Sequence, residues 1–163
     1  MNDEVIPQHT RLDGSADYEA ALDMVIAKAT RRLRIFDRAL GRSFNAPRRH
    51  HLLRSFLLEN RANRLQIVLH EVDNVTRDCP RLVTLLRQFS HGITIHQTLP
   101  VARGVYDPFA VADDQHLVQR FHYDDARGLL ALDDPHGARP FVERFEEILE
   151  ASLPAVVPTT LGL

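Results

Sequence analysis

Amphipathic stripes alternate with short apolar runs between residues 16 and 96 of the chain. The stripes repeat apolar residues at i, i+3, i+4 and i+7, which is typical of helices, and the runs have the length of buried strands. Consecutive runs are separated by about 25 residues that contain a stripe, and a helical crossover of this kind implies parallel pairing of the strands. The pattern predicts helices at 16–31, from Pro47 and from Pro80, and strands at 33–37, 65–70 and 93–96.

The pattern changes after Gly104 into two β-rich runs, 105–112 and 116–123. The short polar link between them predicts a β-hairpin. A further strand at 129–132 and a helix at 138–152 complete the predicted order αβαβαβββα. The fold class is therefore α/β, with a mixed sheet and helices on both faces.

Length and composition describe one globular domain. The 163 residues are 44% apolar and 26% charged, and a chain of this size buries about 70% of the surface it exposes when unfolded. Residues 1–15 are predicted as an N-terminal arm and 16–152 as the domain. The apolar tail, 153–163, is expected to pack on the domain or on a partner subunit.

Charge and cysteine content indicate which partners and which cellular compartment the protein has. A net charge of −2 lacks the electrostatic signature of a duplex-DNA binder, so nucleic acid is an unlikely partner. Cys79 is the single cysteine, which excludes an internal disulfide and fits a reducing compartment. No apolar run approaches the roughly 20 residues of a membrane span, and the acidic start does not resemble a signal peptide. We expect a cytoplasmic protein that does not contact membranes.

Polar residues end the three predicted parallel strands. Asp37 closes the first, His70 and Glu71 follow the second, and His96 ends the third. In open α/β sheets, ligands bind outside the carboxyl ends of the strands. This arrangement favours a site, although strands also turn polar simply where they reach water.

The segment from Tyr106 to Asp113 carries a resemblance to a known family. This order of elements resembles one half of the phospholipase D superfamily, whose motif is His-x-Lys-x-x-x-x-Asp on the first hairpin strand. On that spacing, Tyr106 stands at the histidine, Pro108 at the lysine and Asp113 at the aspartate. In the superfamily the histidine attacks phosphorus and the lysine binds phosphoryl oxygens, and neither tyrosine nor proline replaces them readily. The resemblance therefore implies a domain that has lost its catalytic set, similar to uncharacterised bacterial relatives.

The resemblance also implies a partner. Members of the superfamily pair two halves so that their motifs meet at an interface. A chain with a single half is therefore expected to form a homodimer.

The second hairpin strand supplies candidate ligand-binding residues. Alternation places His116, Val118, Arg120 and His122 on one face, where a guanidinium between two histidines matches the oxygens of an anion. The alternative is a solvated face that pairs with nearby aspartates. With the strand-end residues included, the candidate ligand-binding set is Tyr106, Asp113, His116, Arg120, His70 and His96. The expected ligand is an anionic small molecule or a phosphoryl group.

No cofactor and no metal are predicted. The nine histidines include no local pair with suitable ligand spacing, and the scattered glycines form no phosphate-binding loop. Tyr106 and Pro108 favour a non-catalytic phospholipase D-like domain that binds an anion or phosphoryl ligand or serves in protein assembly. The alternative is a hydrolase or phosphotransfer enzyme that uses a replacement set. In it, His116 or His70 would be the nucleophile or base, Asp113 would orient it, and Arg120 would stabilise developing charge.

Overall fold

One mixed sheet organises the computed structural model, which describes residues 4–104 and 107–157. Within those residues, the strands are β1 (Gln8–Leu12), β2 (Arg32–Asp37), β3 (Arg64–Leu69), β4 (Ile93–Thr98), β5 (Phe109–Ala112), β6 (His116–His122), β7 (Asp125–Leu132) and β8 (Ser152–Val156). The helices are α1 (Ser15–Lys28), α2 (Pro47–Glu59), α3 (Val75–Asp78), α4 (Pro80–Gln88) and α5 (Pro135–Glu150).

The strands lie in the order β1-β7-β6-β5-β2-β3-β4-β8. The central strands β2, β3 and β4 are parallel because a helical crossover joins each to the next. The remaining neighbours are antiparallel. The structure confirms the predicted α/β class with a mixed sheet.

Apolar side chains cover both faces of the sheet, so helices pack on both. Leu33 and Ile35 of β2 belong to the larger core, together with apolar residues of α1, α2 and α4. Phe36 points to the other face, where it packs with Phe109 and with Phe145 of α5. The central strands are therefore continuous apolar runs, as expected for a sheet buried on both sides. The predicted placement of helices is confirmed.

Two edge strands are absent from the predicted order. The arm contributes β1, which pairs with β7, and the tail contributes β8, which pairs with β4. In β1 only Leu12 is buried, so the strand has no apolar alternation that would reveal it. Pro154 lies within β8, and proline is tolerated at a sheet edge because its missing N–H faces outward. Residues 158–163 of the tail lie outside the described residues.

The predicted hairpin is confirmed, with a tight turn at its end. Asp113 and Asp114 both have positive φ, 52° and 57°, and the N–H of Gln115 donates to the carbonyl of Ala112. Aspartate enters the left-handed region more readily than most residues, so the turn forms without glycine. The same turn fixes Asp113 at the beginning of β2, because Ala112 pairs with Leu33.

The helices of the fold can be compared with the length and apolarity of a membrane span. Among residues 4–104 and 107–157, no helix has both the length and the apolar character needed to span a bilayer.

Candidate functional site

The carboxyl ends of β2, β3 and β4 meet at one edge of the sheet, here called the carboxyl edge. The chain stays paired beyond the strands, since the N–H of His70 donates to the carbonyl of Asp37 and that of Glu71 to the carbonyl of Arg38. Thr98 ends β4 beside them. Polar side chains are thus held by neighbouring strands at the position where ligands bind in open α/β sheets.

His70 is buried at this edge, with 5% of its surface exposed. Its Nδ1 lies 2.7 Å from Oγ1 of Thr98, and its ring packs edge-on against Phe36 at 5.2 Å between centroids. Its Nε2 is buried and has no hydrogen-bond partner among the described residues. Burial lowers the pKa of His70, and the positive charges of Arg38 and Arg103 lower it further. The imidazole is therefore oriented, favours its neutral form, and has one buried nitrogen without a partner among the described residues.

Arg38 lies next to His70 with its side chain fixed by an aromatic ring. The guanidinium carbon stands 3.4 Å from the ring centroid of Tyr123, a cation–π contact. The N–H of Tyr123 donates to Oδ1 of Asp107 at 3.0 Å, which ties the ring to the segment before β5. The Nε of Arg38 is buried and, among the described residues, has no hydrogen-bond partner.

Asp37, at the same edge, has a carboxyl group whose pKa is raised. Burial raises its pKa from 3.8 to about 6, although the N–H of Arg38 donates to Oδ1 at 2.7 Å and partly offsets that effect. Burial also raises the pKa of the Tyr18 phenol, and the negative charge of Asp37 adds to the shift.

Arg120 lies near Asp37, and two of its three guanidinium nitrogens donate to backbone carbonyls. Its guanidinium donates to the carbonyl of Tyr123 at 2.8 Å and to that of Asp125 at 3.4 Å, and it stacks over Tyr18 at 5.6 Å. These contacts fasten the β6–β7 turn to α1. These contacts give Arg120 a framework role, and its predicted anion binding stays a prediction.

Asp113 lies at the opposite edge of the sheet, where β2 and β3 begin. Its two carboxylate oxygens accept four hydrogen bonds of 2.8–2.9 Å, from the N–H groups of Thr30, Arg31 and Arg32 and from the hydroxyl of Thr30. Burial opposes ionisation of this carboxyl, but the backbone donors hold its pKa below the ordinary value. Asp113 therefore anchors the hairpin to the loop between α1 and β2.

His116 accompanies Asp113 at that far edge, because it pairs with Ala112. Its Nδ1 accepts a hydrogen bond from the N–H of Asp133 at 3.0 Å. Of the alternative catalytic set, the structure therefore places His116 and Asp113 at one edge and His70 at the other. Alternation along one strand puts His116 and Arg120 on the same face, but four residues separate them towards opposite edges.

His96 and Tyr106 complete the predicted set. His96 lies inside β4, opposite Val68 on the α5 face, and its Nδ1 is 3.0 Å from Oγ of Ser152. Tyr106 lies outside the described residues. Pro108, which occupies the position of the motif lysine, is buried near the carboxyl edge. The segment that matches the motif therefore runs along β5 from the carboxyl edge to the opposite edge, and Asp113 lies at that opposite edge.

Sequence reasoning missed Arg38, Thr98 and Arg103. Arg38 directly follows the end of β2, so it carries the same strand-end signal as Asp37. Thr98 is hidden because the third parallel strand is predicted to end at residue 96, two residues early. Arg103 lies in an irregular segment where no periodicity marks its direction.

A cavity of about 290 Å³ adjoins the carboxyl edge. Thr98, Gln97 and Arg103 supply its polar part, while the amide of Gln97 donates to the carbonyl of His70. The apolar part of its lining consists of Val72, Leu99, Pro100, Leu153, Pro154 and Ala155. Within the described part of the chain, no three His, Cys, Asp or Glu side chains are grouped to hold a metal ion.

The fold is that of the phospholipase D-like proteins. Nuc from Salmonella typhimurium, a phospholipase D family member, superposes with a TM-score of 0.64 at 15% identity, covering 92% of this chain and 99% of that one. NucT from Helicobacter pylori gives 0.63 at 14% identity, covering 92% and 100%. At this level of identity, the likeness shows the fold alone, and it confirms the fold that the resemblance implied.

The chain itself belongs to the family described as Domain of unknown function (DUF7931), whose model matches residues 11–157. A further solved structure, TrmBL2, is an archaeal chromatin protein with a novel mode of DNA binding. It superposes with a TM-score of 0.68 at 10% identity over 94% of this chain, which spans 57% of the archaeal one. None of the curated proteins matches the sequence.

Proposed function

We propose that this phospholipase D-like domain lacks catalysis and binds an oxyanion, of the phosphoryl type, at the carboxyl edge. One observation carries the proposal: Nε2 of His70 and Nε of Arg38 are both buried without a hydrogen-bond partner among the described residues. A buried donor left unpaired costs about 1–3 kcal/mol, so the site is held at a cost that a ligand would offset. An oxyanion accepts from both nitrogens.

The charges around His70 support an anion over a neutral or cationic ligand. Arg38 and Arg103 are close enough to lower the pKa of the imidazole, whereas Glu71 is the acidic group that acts in the opposite direction. A bound anion would favour the Nε2–H tautomer and partly neutralise the two guanidinium groups. It would therefore raise the pKa of His70.

The adjoining cavity indicates what kind of molecule carries the anion. Arg103 and Thr98 lie at its polar end, and most of the remaining lining is apolar. A volume of about 290 Å³ accommodates a small organic group. The ligand is therefore a phosphorylated small molecule whose organic part is apolar.

The same geometry argues against the enzyme alternative. The positions of the superfamily's histidine and lysine hold Tyr106 and Pro108, and Asp113 lies across the sheet from His70. His70 thus has Thr98, not a carboxylate, at its second nitrogen. We expect no hydrolysis of bis(p-nitrophenyl) phosphate above the background rate, and turnover that depends on His70 would establish the enzyme instead.

Calorimetric titration with inorganic phosphate tests the binding proposal. We expect Arg38→Ala and His70→Ala each to weaken phosphate binding by about 10-fold or more, since each removes a charge-assisted or buried donor. Arg54→Ala, at an exposed position on α2, is the matched control and should bind like the wild type. Arg38→Lys retains the charge without Nε and should recover only part of the affinity. Unchanged affinity in well-folded Arg38 and His70 variants would overturn the proposal.

We further infer that two copies of the domain associate through the carboxyl edge. The superfamily resemblance implies such pairing, and the chain matches nearly the full length of Nuc and NucT. Val101 and Phe121, 82% and 50% exposed, present apolar side chains near this edge. Analytical ultracentrifugation should find a dimer that Val101→Asp combined with Phe121→Asp dissociates. A wild-type monomer at all concentrations would contradict the inference.

A further inference from the structure

The edge where β2 and β3 begin contains a cavity of about 400 Å³. Arg32 and Arg64 are register partners on these parallel strands, so their side chains leave the same face of the sheet side by side. Arg31 precedes Arg32 and lines the same cavity. Like charges on directly opposed strand positions repel one another. The three arginines are exposed, and an anion bound between them would relieve this repulsion.

The acidic residues that line this cavity already have hydrogen-bond or ion-pair partners. Both oxygens of Asp113 accept two hydrogen bonds each, from donors in residues 30–32. Asp114 forms an ion pair with the buried Arg34. Among the described residues, no carboxylate pairs with the guanidinium of Arg31, Arg32 or Arg64. The positive charge of the cluster is thus not neutralised by side-chain ion pairs.

Arg64 is also oriented before any ligand arrives. One terminal nitrogen of its guanidinium donates to the carbonyls of Arg61 and Asn63, both at 2.9 Å. This leaves Nε and the second terminal nitrogen, which together form the fork that matches two oxygens of an oxyanion. Asn60 and the buried Asn63 also line the cavity, and the amide of Asn63 donates to the carbonyl of Phe56.

We propose that this cavity is a second anion site, independent of the carboxyl edge, which takes the phosphate groups of a small molecule. Its concave shape and its three clustered arginines suit a compact, multiply charged ligand. A nucleic-acid backbone requires an extended basic surface, and the chain carries a net charge of −2. The two sites lie at opposite edges of the sheet, so either can be removed without touching the other.

Calorimetry with inorganic pyrophosphate tests this site in the Arg38→Ala variant, where anion binding at the carboxyl edge is weakened. We expect saturable binding that falls by about 10-fold or more in the added double substitution Arg32→Gln and Arg64→Gln. Adding Arg54→Gln instead is the matched control and should leave binding unchanged. Circular dichroism checks that each protein is folded, and Gln keeps most of the apolar stem.

Two outcomes would overturn the second site. One is the absence of pyrophosphate binding in the Arg38→Ala protein, or binding that the double substitution does not weaken. The other is found by titrating duplex DNA at the same salt concentration. DNA binding that depends on these arginines, without pyrophosphate binding, would assign the cluster to nucleic acid. Neither result bears on phosphate binding in the wild-type carboxyl edge, which His70→Ala reports separately.

Discussion

Asp37 couples the stability of the fold to pH. Burial raises its pKa to about 6 in the native state, against an ordinary value of 3.8. The native protein therefore binds this proton more tightly than the unfolded chain does. Between those two values the stabilising contribution of the protonated carboxyl is lost as pH rises, and above them the native state carries a buried charge.

Replacing Asp37 by Asn should stabilise the protein at neutral pH. We expect a gain of about 1–3 kcal/mol in the free energy of unfolding at about pH 7.5, since one unit of pKa shift corresponds to about 1.4 kcal/mol. Below the ordinary pKa of the carboxyl, the variant and the wild type should differ much less, because both are neutral there. Urea unfolding at the two pH values measures this difference, and an equal effect at both would refute the coupling.

Asp113 has a structural role that can be separated from ligand binding. Asp113→Ala removes the acceptor for three backbone N–H groups. It also places alanine at a positive φ, where aspartate is tolerated better. We expect a loss of about 2–4 kcal/mol in the free energy of unfolding. Asp114→Asn, at the neighbouring turn position, is the control and should cost less. If Asp113→Ala is stable and binds phosphate more weakly, Asp113 is a ligand-binding residue and the structural role is wrong.

His70 and Arg120 can be identified from the sequence, but their hydrogen-bond partners cannot. His70 is identifiable because a polar residue after an apolar run marks a strand end. Its importance depends on Thr98, 28 residues away, which occupies Nδ1 and leaves Nε2 without a partner among the described residues. Arg120 is a candidate by its charge, but its partners are backbone carbonyls that no sequence pattern displays. Side-chain hydrogen bonding between distant segments is therefore the missing information.

At the scale of elements, the pairing of β6 with β7 depends on a close approach of the two backbones. Gly128 lies opposite Arg120, and a β-carbon there would overlap the carbonyl of Gln119. Gly128→Ala must push the strands apart, so we expect a loss of about 2 kcal/mol or more in the free energy of unfolding. Gly14→Ala is the control, because a β-carbon at Gly14 meets nothing nearby. Thermal unfolding that shows equal losses in both variants would contradict this close approach.

The elements that could be predicted are those that bury an apolar face. The central strands and the helices that cover them carry strong periodicity, and each appears in the structure close to its predicted position. The strands β1 and β8 lie at the two ends of the sheet order, where one side of the strand remains unpaired. Their pairing comes from backbone hydrogen bonds, which leave little trace in the sequence.

At the scale of the whole molecule, the sheet separates two chemically different edges. At the carboxyl edge, Nε2 of His70 and Nε of Arg38 are buried without a hydrogen-bond partner among the described residues. At the opposite edge, both carboxylate oxygens of Asp113 accept hydrogen bonds. The superfamily motif extends between them, since Pro108 lies near one edge and Asp113 at the other. Asp113 thus anchors the hairpin to the loop between α1 and β2, and Pro108 at the lysine position agrees with the absence of catalysis that we propose.

The pKa of the His70 imidazole, followed by NMR with and without sulfate, tests whether the carboxyl edge binds an anion. Sulfate keeps its charge from about pH 5.5 to about pH 8, so only the protein titrates in this window. The His70→Asn variant assigns the resonance. We predict a pKa below the ordinary value without the anion, as burial beside Arg38 and Arg103 requires, and a clear rise at saturating sulfate. A His70 pKa that sulfate leaves unchanged would contradict anion binding at the carboxyl edge.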